Sequence, residues 1–187
     1  MTFGPEYWKD LRKVYFKMAS DKDFRVKKSI ASSIGEVAKI IGKEPTQEDL
    51  LGIVEKLYKE EGEIRNIIMK NAPMILKNLD TNYKLTYLEK LRRFLNIKEK
   101  WRTRFEYAKI IASFNYVYDD DITYKQVFPI SLNFCTDDVA EVRFKSAKNC
   151  SKIVYQLLSG EASNYKDTTY KIVLAFATSV NYHFRQQ

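Results

Sequence analysis

An apolar or aromatic residue followed by arginine, just past a polar turn, recurs five times along this chain. The pairs are Phe24-Arg25, Ile64-Arg65, Trp101-Arg102, Val142-Arg143 and Phe184-Arg185. Their arginines are 40, 37, 41 and 42 residues apart. A fixed period of this length marks one supersecondary unit copied along the chain. Such a unit cannot bury its apolar face alone and must stack on its neighbours.

The residues after each arginine predict a helix. Past Arg65 the apolar positions are Ile68, Met69, Ala72, Ile75, Leu76 and Leu79; past Arg143 they are Ala147, Cys150, Ile153, Val154, Leu157 and Leu158. Both stripes follow the period of about 3.6 residues that places side chains on one helix face. A first helix precedes each turn, over about Glu6–Ala19, Gln47–Lys59, Asn82–Leu95, Ile122–Phe134 and Ser163–Thr178. Thr46 with Asp49 reads as a capping box opening the second of these, with Pro45 at the boundary. The polar turns inside the pairs are Ser20–Asp23, Glu60–Glu63, Asn96–Lys100 and Thr136–Asp138. With only 6 Gly and 4 Pro, the chain suits long helices with short connections better than a turn-rich β-sandwich.

The period is too long for ankyrin or tetratricopeptide units and close to the about 40–47 residues of HEAT and armadillo units. In the fourth unit Pro129, Asp137 and Arg143 fall where the HEAT pattern has a proline that bends the first helix, an aspartate that ends it and an arginine that opens the second. Aspartate and arginine are then expected to bond across each turn and to the next turn, as a ladder. The ladder is degenerate: Arg25 has Asp21 and Asp23 beside it, and Arg102 has only Glu99. The expected fold is an all-α HEAT-repeat superhelix in one domain, with four full helix pairs and a partial fifth. The pairs fall at about 5–43, 45–79, 81–118, 121–159 and 162–187. Tyr182, His183 and Phe184 make a poor polar cap, so the expectation is a piece of a longer array.

Composition bounds the chemistry. The 187 residues are 45% hydrophobic and 30% charged, a globular balance, with a net charge of +8. The N-terminal MTFGPEYWKD has neither the basic nor the apolar region of a secretory signal, and no apolar run approaches the about 20 residues that span a bilayer. A cytosolic or nuclear protein is expected, with Cys135 and Cys150 as buried free thiols. His183 is the single histidine, and there is no Gly-rich phosphate loop, G-x-S-x-G or H-E-x-x-H. The reading is therefore a binding surface with no catalytic, cofactor or metal site. Asp119-Asp120-Asp121 lacks the glycine and further ligands of a calcium loop and is expected to start a helix.

Two surfaces compete for a partner. Trp101 and Arg102, in Lys-Trp-Arg-Thr-Arg, have the composition of an interface hot spot; alternatively Trp101 closes the hydrophobic layer and Arg102 joins the ladder. The second helices, which line the concave face of a HEAT array, carry Lys27, Lys28, Lys39, Lys70, Lys77, Lys109, Lys145, Lys148 and Lys152. They could hold an acidic peptide or a nucleic-acid backbone, although interspersed charge more often makes a solvated face. Trp8, near Tyr15 and Phe16, is expected to pack against a preceding repeat or a cap.

Three blocks carry a resemblance: SIASSIGEVAKIIGKEPTQEDLLGIVEKL (Ser29–Leu57), EKWRTRFEYAKIIASF (Glu99–Phe114) and VFPISLNFCTDDVAEVRFKSAKNCSKIVYQLL (Val127–Leu158). In their order and spacing they resemble the HEAT repeats of the regulatory subunit 1 family of protein phosphatase 4, relatives of the protein phosphatase 2A scaffold. The resemblance implies a non-catalytic subunit that binds a Ser/Thr phosphatase catalytic subunit of the phosphatase 4 or 2A type and directs it to substrates. It also implies docking along the ridge of turns, which here means Asp21, Asp23, Phe24, Arg25, Glu63, Ile64, Arg65, Trp101, Arg102, Asp137, Asp138 and Arg143. The alternatives are a nucleic-acid-binding array using the lysine-rich face, or a tubulin-binding array.

Overall fold

The computed structural model describes residues 4–60, 62–96, 100–159 and 163–179. Among them there is helix and turn and no strand, in agreement with the all-α repeat fold read from the sequence. The chain divides into two compact units, Met1–Thr86 and Tyr87–Gln187.

The first unit opens with α1 (Trp8–Ala19) and α2 (Phe24–Ile41). Asp23 caps α2 by accepting from the Arg25 N–H at 2.8 Å, which satisfies a donor the first turn would otherwise orphan. Gly42, at φ 83°, ends the helix in a backbone region that only glycine enters freely. The chain re-enters helix at once as α3, residues 43–58, made of Lys43–Pro45, Thr46–Leu50 and Leu51–Tyr58. After Gly62 (φ 70°) comes α4, Glu63–Lys77, with Pro73 inside it. Helix α2 packs along α4, and the core between them is Ile30, Ile34, Ala38, Ile68, Met69, Ala72 and Ile75.

Helix α5 (Thr81–Asn96) begins in the first unit and runs into the second, where Leu88 and Leu91 are buried. Next comes α6 (Trp101–Ile110), which tightens into a 3₁₀ stretch over Ile111–Tyr116. Helix α7, residues 120–135, consists of Asp120–Ile122, Thr123–Val127 and Phe128–Cys135, and α8 is Ala140–Ser159. A 3₁₀ turn, Ser163–Tyr165, leads into α9 (Lys166–Ala177). Helix α8 packs on α6, α7 and α9, over a core of Phe114, Phe128, Phe134, Val142, Ile153 and Leu157. Cys135 and Cys150 are free and buried here, as the sequence implied.

Three local expectations are corrected. The capping box at Thr46 does not form, because the helix starts earlier, at Lys43. The buried Thr46 hydroxyl instead donates to the Gly42 and Ala38 carbonyls at 2.6 and 3.2 Å. Asp49 faces α1, accepting from Trp8 Nε1 at 2.7 Å and pairing with Arg12 at 3.5 Å, so Trp8 is consumed inside this unit. Pro129 is not what makes α7 irregular. A π-helical turn, Thr123–Val127, precedes it, and α3 carries the same turn at Thr46–Leu50 with Gly52 where α7 has the proline. Both turns open on a buried threonine whose hydroxyl donates to a carbonyl of the preceding segment, Tyr118 O in the case of Thr123. The Lys125 carbonyl, which Pro129 cannot satisfy, accepts from Arg92 Nη2 at 3.4 Å. Asp119 does start a helix: its carboxylate accepts from the Ile122 N–H at 2.8 Å.

Candidate partner-binding turns

In the first unit the turn residues are mostly occupied with one another. Asp21 accepts from the Asp23 N–H at 2.8 Å, and the Asp23 carboxylate pairs with Arg25 at 3.0 Å. That guanidinium and the helix N-terminus together hold the Asp23 carboxyl below the usual carboxylate range. Arg65 does not reach an aspartate; its Nε donates to the Tyr58 and Glu60 carbonyls at 3.1 and 3.2 Å, closing the end of α3. Glu63 pairs with Lys28 at 2.7 Å, and Ile64 is buried. Phe24 stays exposed, and Arg25 lies at the surface with 88% of its side chain open to water.

In the second unit Arg143 closes its own turn, donating to the Asp137 and Asp138 carbonyls at 2.7 and 3.0 Å. The carboxylate of Asp137 is taken by Arg104, with Nε to Oδ2 at 2.6 Å and Nη2 to Oδ1 at 2.9 Å. It also accepts from the Val139 N–H at 2.9 Å. Among the described residues no acid pairs with Arg102; Glu99, its expected neighbour, lies outside them. The Arg102 guanidinium lies over the Trp101 ring, 4.8 Å from the centroid. Side-chain direction explains this: a residue two positions along a helix points to a different side, so Arg104 faces the next turn while Arg102 faces solvent. Trp101 remains 37% exposed, with Phe105 6.5 Å away in a tilted contact and Lys109 above the Phe105 ring at 4.4 Å. Asp138 is exposed. The fifth turn, with Phe184, Arg185 and His183, lies outside the described residues.

Two kinds of bond between helix pairs went unread in the sequence. Lys27 reaches Glu60 at 2.9 Å and Arg104 reaches Asp137, each across 33 residues. Both cations stand two places after the repeat arginine, a regularity that was available in the sequence but hidden by the Lys–Arg difference. The second kind uses asparagine six places after that arginine. Asn71 Nδ2 donates to the Ala31 carbonyl at 3.2 Å, and Asn149 Nδ2 to the Ala108 and Lys109 carbonyls at 2.6 and 3.2 Å. Polar residues on an apolar stripe read as flaws in the pattern, yet here they fix the register of neighbouring second helices. Gly35 lets Asn71 in: a methyl group there would collide with the Asn71 amide oxygen and press on Met74 Sδ.

Among the described residues no group of three or more His, Cys, Asp and Glu is placed to hold a metal ion, and no helix is long and apolar enough to cross a membrane. Stacked helix pairs joined by short polar turns define a helical-repeat protein. The family model described as the protein phosphatase 4 regulatory subunit 1 middle domain matches residues 1–94. The human, mouse and rat proteins named serine/threonine-protein phosphatase 4 regulatory subunit 1 are each 34% identical to the chain over 159 residues. The match covers 84% of this chain and 17% of each relative, so the chain spans about a sixth of their length. This chain belongs to the protein phosphatase 4 regulatory subunit 1 family.

Proposed function

We propose that the chain is a non-catalytic module that binds a Ser/Thr phosphatase catalytic subunit of the phosphatase 4 type and directs it to substrates. The observation that carries the reading is family membership, joined to a surface that still offers Trp101 and Arg102. A rigid aromatic ring under a guanidinium gives a partner a large apolar area and a planar donor in one place, at little cost in side-chain entropy. Glu63 and Asp137 are spent on bonds between helix pairs, and Asp21, Asp23, Arg65 and Arg143 on closing their own turns. Of the predicted ridge, Phe24 and Arg25 in one unit and Trp101, Arg102 and Asp138 in the other are left to meet partners, each unit on its own account. The cytosol and nucleus are the compartments in which we place this activity.

The test is retention of purified phosphatase 4 catalytic subunit by the immobilised chain. Retention is expected for the parent chain and expected to weaken in Trp101→Ala. Absence of any retention would overturn the phosphatase reading and leave only the repeat-protein fold. The tubulin and nucleic-acid readings gain no specific observation here. Lys27, Lys28 and Arg104 spend their charge on internal acids, which shortens the basic track a nucleic-acid backbone would follow.

A further inference from the structure

A groove of about 800 Å³ runs between α6 with its 3₁₀ extension and α8. Lys109, Ser113 and Tyr116 stand on one wall, and Lys152, Tyr155 and Gln156 on the other. No Asp or Glu lines it. Lys109 is partly committed, paired with Glu106 at 2.6 Å, whereas no carboxylate lies against Lys152 among the described residues. Gln156 is held by Asp120, to which its Nε2 donates at 2.8 Å. Lys148, exposed one turn before Lys152, adds to the positive potential along α8.

Two further properties suit this groove to an extended occupant. Its floor is built in advance, because Asn149 ties α8 to the end of α6 and Asn115 Nδ2 reaches the Lys152 carbonyl at 3.4 Å. A preformed trough loses little conformational freedom when it is filled. At its rims Tyr116 is 83% and Tyr155 74% exposed. Tyrosines held in water on stiff helices are the residue type that interfaces recruit, since the ring buries area while the hydroxyl keeps a partner.

We propose that this groove seats an acidic peptide segment of a partner protein, with Lys152 meeting its carboxylate and Tyr116 and Tyr155 covering its apolar side chains. Charge selects the occupant: Glu106 and Asp120, behind the walls, are already bonded to Lys109 and Gln156, and the lining itself offers the free Lys152 ammonium and no carboxylate, which attracts negative charge. A nucleic acid is the poorer fit. Strong binding to its backbone neutralises about six to ten phosphates, and the cations here are a short cluster. The inference rests on the protein-binding reading above but uses a surface separate from Trp101.

The experiment is fluorescence anisotropy of the chain with a fluorescein-labelled peptide alternating Glu and Leu. Saturable binding is expected, weakened about tenfold by Lys152→Glu and about fivefold by Tyr155→Ala. Tyr155→Phe and Lys77→Ala are expected to bind as the parent does. Three results would overturn the proposal: equal binding of the same peptide with Gln in place of Glu, undiminished binding to Lys152→Glu, or tighter binding of a single-stranded oligonucleotide. Retention of the catalytic subunit is expected to survive Lys152→Glu, so failure of either proposal is visible apart from the other.

Discussion

Arg104 grips both oxygens of the Asp137 carboxylate, and the pair is largely shielded, with 18% and 7% of the two side chains exposed. The bond joins α6 to the turn before α8. Removing one partner strands the other, so Arg104→Ala is expected to cost about 2 kcal/mol, read as a lower urea midpoint at constant slope. Arg104→Lys supplies charge without the planar fork and should recover only part of that loss. Parent-like stability of Arg104→Ala would remove this pair from the architecture.

Asn149 is buried and bonds two carbonyls of α6. Asn149→Leu keeps the branched shape but leaves those carbonyls without their donor, for an expected loss of about 2 kcal/mol by chemical denaturation. Asn149→Asp replaces the donor by an acceptor facing carbonyl oxygens and should be worse at neutral pH than at acid pH.

Two helical glycines should answer oppositely to the same change. Gly35→Ala forces Asn71 and Met74 aside and is expected to destabilise by about 1–3 kcal/mol. Gly52→Ala meets nothing within 4 Å and is expected to stabilise by about 0.5–1 kcal/mol through helix propensity. Matching shifts of the thermal midpoint in the two variants would refute the close approach at Gly35.

Acid should loosen the first unit through Asp80. The Lys43 ammonium bonded to it holds this carboxyl below its ordinary value of 3.8. A depressed folded value means that the contribution is complete above the unfolded value and is lost as pH falls through the folded one. Stability should therefore be flat from neutrality down to about pH 4 and then drop, as far as this group governs it. Lys43→Met should be less stable at neutral pH and show a shallower drop. A drop as steep as the parent's would assign the acid response to other groups.

At the turns, Trp101→Ala is expected to lower retention of the catalytic subunit about tenfold with an unchanged thermal midpoint. Arg65→Ala, whose side chain closes α3, should do the reverse, lowering the midpoint with little effect on retention beyond the folded fraction. A fall in both quantities for Trp101→Ala would mean that the ring is part of the packing.

The pairing of helices was legible because burial imposes periodicity. Ile68, Met69, Ala72, Ile75, Leu76 and Leu79 are all buried, as their spacing required. The stripe after Arg143 was legible only in part: Leu158 is exposed, and Ser146 and Asn149 are buried on the same helix. Hydrophobic spacing finds apolar contacts and overlooks polar groups that bury by bonding to a backbone. Arg102 and Arg104 show the same limit. Sequence position placed the arginine next to Trp101 in the ladder, but helix geometry gave that task to the one two residues on. The π-turns were invisible because nothing in Thr46 or Thr123 distinguishes a hydroxyl that caps from one that fills a widened turn.

The asparagine bonds have one more consequence. Donors stand at Asn71 and Asn149, 78 residues apart, and the acceptors Ala31 and Ala108 are 77 apart, about twice the spacing of successive arginines. Four places after each acceptor sits a small residue, Gly35 or Ala112; four places after each donor sits Ile75 or Ile153. Odd and even helix pairs are thus lock and key, and each compact unit contains one of both. An isoleucine in place of Gly35 would fill the space that the Asn71 amide occupies. Within each unit one pair presents the carbonyl and the other the amide that bonds it, so the two pairs of a unit are expected to be gained or lost together.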